Sequence, residues 1–438
     1  RYIFGMRGKG RGIKIALAAL FFLLLAFWLA EPRVPPLHID GTAEPKYQRV
    51  LDAFKQNFLD GWEHGGASFA VFVEGRKVVD VWGGYADAAK GELWTENTIS
   101  LAFSATKAVA AVAVAIVVDR GWASYDDLVV KHWPEFGQHG KDNVTVQMLM
   151  SHMAGLPYVD GVITVEEALA PDTIGRRLAE QKPAWPPGTA TGYHIYTYGW
   201  LADQLIRRVD PKRRSIGEFV RDEIARPLSA DFHIGLPPEH DARVAHLIPL
   251  TPLRWLAEVA HDYRIAWNLR NFYKMLGNLF VVRALCNVPW LDTVFSFTFN
   301  NAAFHSLEVA AALGIGNARS LAVIFSALGE RELISEKTLV QLSVPVVNTT
   351  DQLLFNVISD VSLARSGGLV FLPLGRAGAD FSIGHPGYGC QQVELDVRNR
   401  IAIAYTTSSM KAGMLMDMCR TYDRLRRTLY DVVEEGGT

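Results

Sequence analysis

From Ala105 to Val118 the chain reads "ATKAVAAVAVAIVV", with Lys107 as its one charge. A helix that is apolar on every face has no side to offer to water, so the rest of the fold must enclose it. Whatever this chain folds into is built around a central helix with a lysine on its first turn. At about 3.6 residues per turn, Ser104 stands one turn before Lys107 on the same face, and their heads can meet. A serine hydroxyl is a poor nucleophile until a base takes its proton. Near the start of a buried helix, desolvation and the positive helix end both disfavour an ammonium, so a lysine there can be that base. Taken alone, the pair also reads as an N-capping serine beside an exposed lysine.

With 438 residues, 49% of them hydrophobic, the chain can bury a large core in one big or two intimate domains. Its 44 Lys and Arg against 46 Asp and Glu leave a net charge of -2, and with no basic field nucleic acid is not expected as a partner. Cys286, Cys390 and Cys419 are far apart and form no zinc-like spacing. Any one pair of them can join, and the sequence does not choose which. The histidines show no HExxH or paired spacing, so no metal is assigned.

At the front, Arg7, Lys9, Arg11 and Lys14 precede an uncharged apolar run from Ile15 to Ala30. This pattern predicts a basic segment over 1–12, a membrane-anchoring helix over 13–30, a Pro-rich linker over 31–46 and a globular domain over 47–438. The expected placement is a single-pass membrane protein with a cytosolic N-terminus and the bulk of the chain lumenal or extracellular. A cleaved leader is the rival, giving a secreted or mitochondrial product. Sequons at Asn143 and Asn348 suit the first placement but arise readily by chance.

Residues Tyr47 to Trp62 carry apolar positions at helical spacing, and "ASFAVFVEGRKVVDVWGGYAD" then alternates as a hairpin interrupted at "EGR". A helical, loop-rich middle follows. Near the end, "GCQQVELDVRNRIAIAYTTSSM" reads as two strands around a polar "VRNR" turn, followed by an amphipathic helix over Leu415 to Val433. Strands at both ends of the chain imply a sheet assembled from the termini, with a mainly helical lobe, about residues 125–345, inserted between its parts. The aromatic stretch from Trp255 to Phe299 reads as core of that lobe, or else as a greasy cover over an acyl pocket or a surface resting on a membrane.

Two further segments join the Ser-Lys pair. "WPPGTATGYHIYTYGW" places Tyr193 after a Pro-Gly turn, and "FSIGHPGYGCQQVELDV" leads from His385 through glycines into a strand. An SxxK, then a Tyr after "PG", then a His-x-Gly before a C-terminal strand resembles the serine β-lactamase and penicillin-binding-protein superfamily, in its class C-like, esterase branch. "VTVQMLMSHMAGLP" and "GIGNARSLAVIFSAL" resemble accessory elements of that family, and the likeness runs from about residue 48 to 432.

The resemblance implies an α/β (α+β), β-lactamase/transpeptidase-like fold whose antiparallel sheet has flanking helices. It implies Ser104 as acylated nucleophile, Lys107 as its base or relay, and Tyr193 as phenolate base or proton shuttle. His385 would stand where the family has the lysine of its K-T-G strand, orienting the site or binding a substrate oxygen. The backbone N–H groups of Ser104 and Tyr388 would form the oxyanion hole, and His194, Pro386 and Gly387 would line the pocket. His152 reads as a structural hydrogen-bonding residue. Departures matter too. Tyr193-His194-Ile195 lacks the amide of the family's Tyr-x-Asn, and Pro386 removes a hydroxyl and a donor. These weaken recognition of a β-lactam or a D-Ala-D-Ala peptide and favour a carboxylic ester or another simple acyl compound; with the apolar run at the front, the expectation is a membrane-anchored serine hydrolase of small-molecule or lipid esters that needs no cofactor. An amidase or peptidase using the same site, and a non-catalytic scaffold or filament protein, are the alternatives.

Overall fold

The alternating segments at the two ends of the chain meet in one sheet in the computed structural model, which describes residues 36–266, 277, 279–292, 296–346, 365–374, 380–413 and 418–435. The N-terminal part supplies β1 (Ile39–Ala43), β2 (Gly66–Val73) and β3 (Arg76–Asp87). The C-terminal part supplies β4 (Arg365–Ser366), β5 (Leu369–Pro373), β6 (Phe381–Gly387), β7 (Gln391–Asp396) and β8 (Ile401–Thr407). Among the described residues the order is β1-β3-β2-β8-β7-β6-β5-β4, antiparallel throughout, with Glu92–Leu93 added on β3. The two ends of the chain are joined where β2 pairs with β8, Phe69 opposite Tyr405 and Ala70 opposite Ala404.

Local chemistry sets the turns. β2 and β3 connect through Glu74 and Gly75, both at positive φ (50° and 77°), the backbone twist that suits a two-residue hairpin. Between β7 and β8 Asp396 accepts from the Asn399 backbone N–H at 3.0 Å and from its side-chain amide at 2.7 Å, which closes the "VRNR" turn.

Because successive side chains of a strand point to opposite faces, the sheet sorts its residues into two cores. Ala70, Phe72, Ala402 and Ala404 face a core that holds α2 (Thr106–Asp119), α3 (Thr197–Val209) and α4 (Ala318–Gly329). Phe69, Val71, Ile401, Ile403 and Tyr405 face a second core with α1 (Gln48–Leu59) and α5 (Arg420–Glu435). The expected helix over Tyr47–Trp62 ends early because Gly61 turns left-handed at φ 68°. The helix expected from Leu415 begins instead at Arg420, residues 414–417 being outside the described set.

Every residue of α2 from Thr106 to Val117 is buried, as an all-apolar helix requires. Each fully buried valine contributes roughly 1.5–3 kcal/mol, and the interleaved alanines let neighbours approach closely. Gly199 serves the same end on α3: a Cβ there would lie 2.6 Å from the backbone nitrogen of Ala311.

Two expectations are corrected. The middle of the chain is not helix and loop alone, since Ser100–Leu101, Gly314–Gly316 and Phe232–Ile234 form a small antiparallel sheet. Gly314 and Gly316 permit it, because a Cβ on either would meet the Phe232 ring at 2.6 Å. The placement as a single-pass membrane protein is also overturned: among the described residues no helix is long and apolar enough to cross a membrane. The anchor expected over 13–30 lies outside those residues. Of the three cysteines, Cys390 and Cys419 are joined, and Cys286 is free and exposed.

Candidate active site

Ser104 sits in the short 3-10 turn Phe103–Ala105 that feeds α2. Phe103 is left-handed at φ 46°, which costs a non-glycine residue roughly 1–2 kcal/mol. Several contacts hold it there. Its ring packs on Phe299 at 4.8 Å and on Tyr388 at 5.6 Å. Its carbonyl accepts from Thr106 Oγ1 at 2.5 Å, and that oxygen accepts from the Gly314 N–H at 2.9 Å. The turn that presents Ser104 is thus fixed from both sides.

Lys107 is fully buried. Its Nζ lies 2.9 Å from Ile195 O, 2.8 Å from Ala311 O and 3.3 Å from Ser104 Oγ. It stands 4.7 Å from the centre of the Tyr193 ring. Burial holds its pKa well below the usual lysine range. Lys141 makes a useful contrast. It is buried too, but it gives all three protons to backbone carbonyls, those of Gln138, Ala179 and Gln181, and burial lowers its pKa only to about 8. Lys107 has two carbonyl partners. In its neutral form the amine has two N–H groups and one lone pair, so with both hydrogens on the carbonyls the lone pair would face Ser104 Oγ.

Tyr193 is buried and belongs to a loop whose frame is made by histidines. His152, itself left-handed at φ 63°, accepts from the His194 N–H through Nδ1 at 3.1 Å, and its carbonyl accepts from the Gly192 N–H at 3.0 Å. Its ring lies 4.8 Å from that of Tyr193. His194, expected in the pocket, spends both ring nitrogens on backbone: Nδ1 donates to Gly192 O at 2.5 Å and Nε2 accepts from the Leu156 N–H at 3.0 Å. Neither nitrogen is left for a substrate. Burial lowers the pKa of both rings, that of His194 to about 3, so both are neutral at physiological pH.

His385 lies on β6, buried, its ring 6.0 Å from that of Tyr193. Nδ1 donates to Pro386 O at 2.6 Å, which leaves Nε2 a buried acceptor with no protein partner among the described residues. Burial above all, reinforced by the positive charge of the Arg365 guanidinium, brings its pKa to about 3. Where the resembled family has a lysine, a neutral imidazole acceptor stands. Beyond it, Gly387 presses on the serine turn, for a Cβ at 387 would lie 2.4 Å from Ala102 O. Among the described residues, the backbone hydrogen bonds around this contact take up neither the Ser104 nor the Tyr388 N–H.

Sequence reasoning missed Tyr198, Arg365 and the Ile195 and Ala311 carbonyls. The Tyr198 hydroxyl donates to Lys107 O at 3.4 Å, and its ring lies 5.0 Å from His152. Arg365 is a buried guanidinium whose charge depresses the pKa of His152, His194 and His385. A signal for its surroundings exists in the "GG" that follows: a Cβ on Gly368 would lie 2.4 Å from the Tyr198 hydroxyl. In the aromatic stretch, Phe299 is buried in the core against Phe103, whereas Trp267, Phe272, Tyr273 and Phe295 lie outside the described residues.

This arrangement of sheet, central helix and converging motifs is that of the serine β-lactamase and penicillin-binding-protein-like folds. The chain belongs to the Beta-lactamase family, whose model matches residues 54–427. It is 33% identical over 297 residues to the Esterase/beta-lactamase LipL of Mycobacterium tuberculosis (strain ATCC 25618 / H37Rv), covering 66% of this chain and 64% of that protein. The match thus spans less than two thirds of that relative's length. Among solved structures, a family VIII carboxylesterase is similar at 30% identity and a TM-score of 0.76, over 90% of this chain and 100% of that one. A penicillin-binding protein homolog from Caulobacter crescentus follows at 29% and 0.74, with the same coverage.

Proposed function

We propose that the protein is a serine hydrolase that cleaves carboxylic esters through a covalent acyl-enzyme on Ser104. The observation that carries this reading is the setting of Lys107: fully buried, depressed in pKa, with Nζ donating to the Ile195 and Ala311 carbonyls and 3.3 Å from the serine oxygen. Lys107 accepts the Ser104 proton as Oγ attacks the acyl carbon. The N–H groups of Ser104 and Tyr388 receive the developing oxyanion, and each such donor typically accounts for about 10²–10³ in rate. Tyr193 carries a proton to the departing alkoxide, and water then resolves the acyl-serine.

What supports esters over β-lactams is the lack of a cation at position 385. A neutral acceptor there attracts no substrate carboxylate, Pro386 offers no donor, and Ile195 gives only its carbonyl, already used by Lys107. The similar solved structure named as a family VIII carboxylesterase agrees with this, whereas the name of LipL carries both esterase and beta-lactamase.

A fluorophosphonate probe tests the nucleophile. Labelling is expected on the native protein and on Ser151→Ala, but not on Ser104→Ala; an unlabelled native protein would sink the reading. Turnover of a p-nitrophenyl ester alongside the amide of the same acyl chain tests the leaving group. The ester is expected to be cleaved faster, and the reverse order would point to an amidase.

A further inference from the structure

We infer that the Cys390–Cys419 disulfide is a positioning device: it holds the turn that presents the Tyr388 N–H to the Ser104 site. This rests on the oxyanion role proposed above for that N–H. β6 ends at Gly387 and β7 begins at Gln391, so Tyr388, Gly389 and Cys390 make the whole connection. Two residues of it in succession are left-handed, Gly389 at φ 74° and Cys390 at φ 78°. Glycine adopts that region freely, but a cysteine does not. Left alone, the Cys390 backbone relaxes toward negative φ and takes the neighbouring peptides with it.

The disulfide opposes that relaxation. Cys419 lies 5.8 Å away, Cα to Cα, immediately before α5. That helix is itself fastened to the sheet, since Arg426 Nε donates to the buried Glu394 of β7 at 2.6 Å and the Tyr422 hydroxyl donates to the same carboxylate at 2.5 Å. The tether therefore runs from the strained turn to a fixed point in the second core. On the other side of the turn there is little slack. Gly387 is against Ala102 O, and a Cβ on Gly389 would meet the Met410 methyl carbon at 2.2 Å. A shift of 388–390 has to change the distance between the Tyr388 N–H and Ser104. Both cysteines are about 1% exposed, so the bond is placed at the turn and not on a surface loop that needs stapling.

Two double variants separate positioning from bulk stability. Cys390→Ala with Cys419→Ala removes the tether and keeps the strained φ; Cys390→Gly with Cys419→Ala removes the tether and makes that φ easy. With a p-nitrophenyl ester, the alanine pair is expected to lose about 10-fold or more in kcat with KM within about 2-fold, a partial loss of one oxyanion donor. The glycine pair is expected to regain most of that kcat, and Cys286→Ser to match the native protein. Amide hydrogen exchange over 386–392 supplies a readout independent of turnover, faster in the alanine pair and restored in the glycine pair. Equal kcat and equal exchange in native protein and alanine pair would overturn the inference. So would equal losses in both pairs that track a common fall in melting temperature. If the native protein neither labels at Ser104 nor turns over ester, the hydrolase reading fails, and the exchange comparison alone decides whether the disulfide holds this turn.

Discussion

Replacing Lys107 by methionine is expected to lower kcat on a p-nitrophenyl ester by roughly 10²–10⁴-fold, the range of a positioned general base. Methionine keeps the volume and the unbranched shape of the lysine stem inside α2, so the helix should pack as before. Two effects on stability oppose each other. The Ile195 and Ala311 carbonyls lose a donor, at a cost of about 1–3 kcal/mol for each buried group left unpaired. Against that, the native fold must bury an amine that is charged in the unfolded chain, and methionine removes the need to deprotonate it. The pH dependence has a definite sign. Between the lowered folded pKa of Lys107 and the ordinary lysine value of 10.5, the unfolded chain holds a proton that the folded one has released. Native stability therefore gains from this residue as pH rises through that window, a gain missing from Lys107→Met and readable by urea unfolding at neutral and alkaline pH. The activity profile follows the same group. kcat/KM should fall as pH drops through the lowered pKa and hold level above it, and a native acid limb near the ordinary lysine range would mean that the base is not a lysine of lowered pKa.

The central helix and the two-ended sheet were legible because each is written in a period. "AVAAVAVAIVV" has no polar face, and the run "IAIAY" alternates so plainly that even the two cores can be told apart: Ala402 and Ala404 toward α2 and α4, Ile401, Ile403 and Tyr405 toward α1 and α5. The ordered motifs brought Ser104, Lys107, Tyr193 and His385 into view through family likeness. What the sequence hid was carried by backbone and by field. Carbonyls at Ile195 and Ala311 decide how many protons Lys107 can place, and a carbonyl has no letter of its own. Likewise the letters His-Pro-Gly do not give the charge state of His385, which its complete burial near the Arg365 guanidinium makes neutral. The Cys390–Cys419 pairing was hidden for a similar reason, since only the register of β6 and β7 brings position 390 to the head of α5.

Lys411→Met is expected to destabilise the protein by about 3–5 kcal/mol, the cost of leaving one partner of a buried ion pair behind. Its Nζ lies 2.8 Å from Glu63 Oε2, with 1% and 0% of the two side chains exposed. Arg49 and Glu435 make a closer contact, at 2.6 Å, but they are 54% and 65% exposed, and solvent screens such a pair until it contributes little. Burial, not distance, separates the two cases. Glu63 Oε2 also accepts from the Tyr405 and Thr407 hydroxyls, while Lys411 donates to Ser409 O at 3.1 Å. The cluster thus links the segment after α1 to the end of β8, the joint between the two parts of the sheet. Glu63 Oε1 has no hydrogen-bond partner among the described residues, so this carboxylate has little to fall back on once the ammonium is gone. Urea unfolding at neutral pH checks the magnitude, with Glu63→Gln and the double variant completing a cycle. Because the glutamine no longer needs a counter-charge, the double variant should be more stable than the sum of the single losses, by about 0.5–3 kcal/mol of coupling. A loss below about 1 kcal/mol in Lys411→Met, or strict additivity, would place this pair with the weak surface contacts and leave the joint to be held by the sheet hydrogen bonds and the two apolar cores alone.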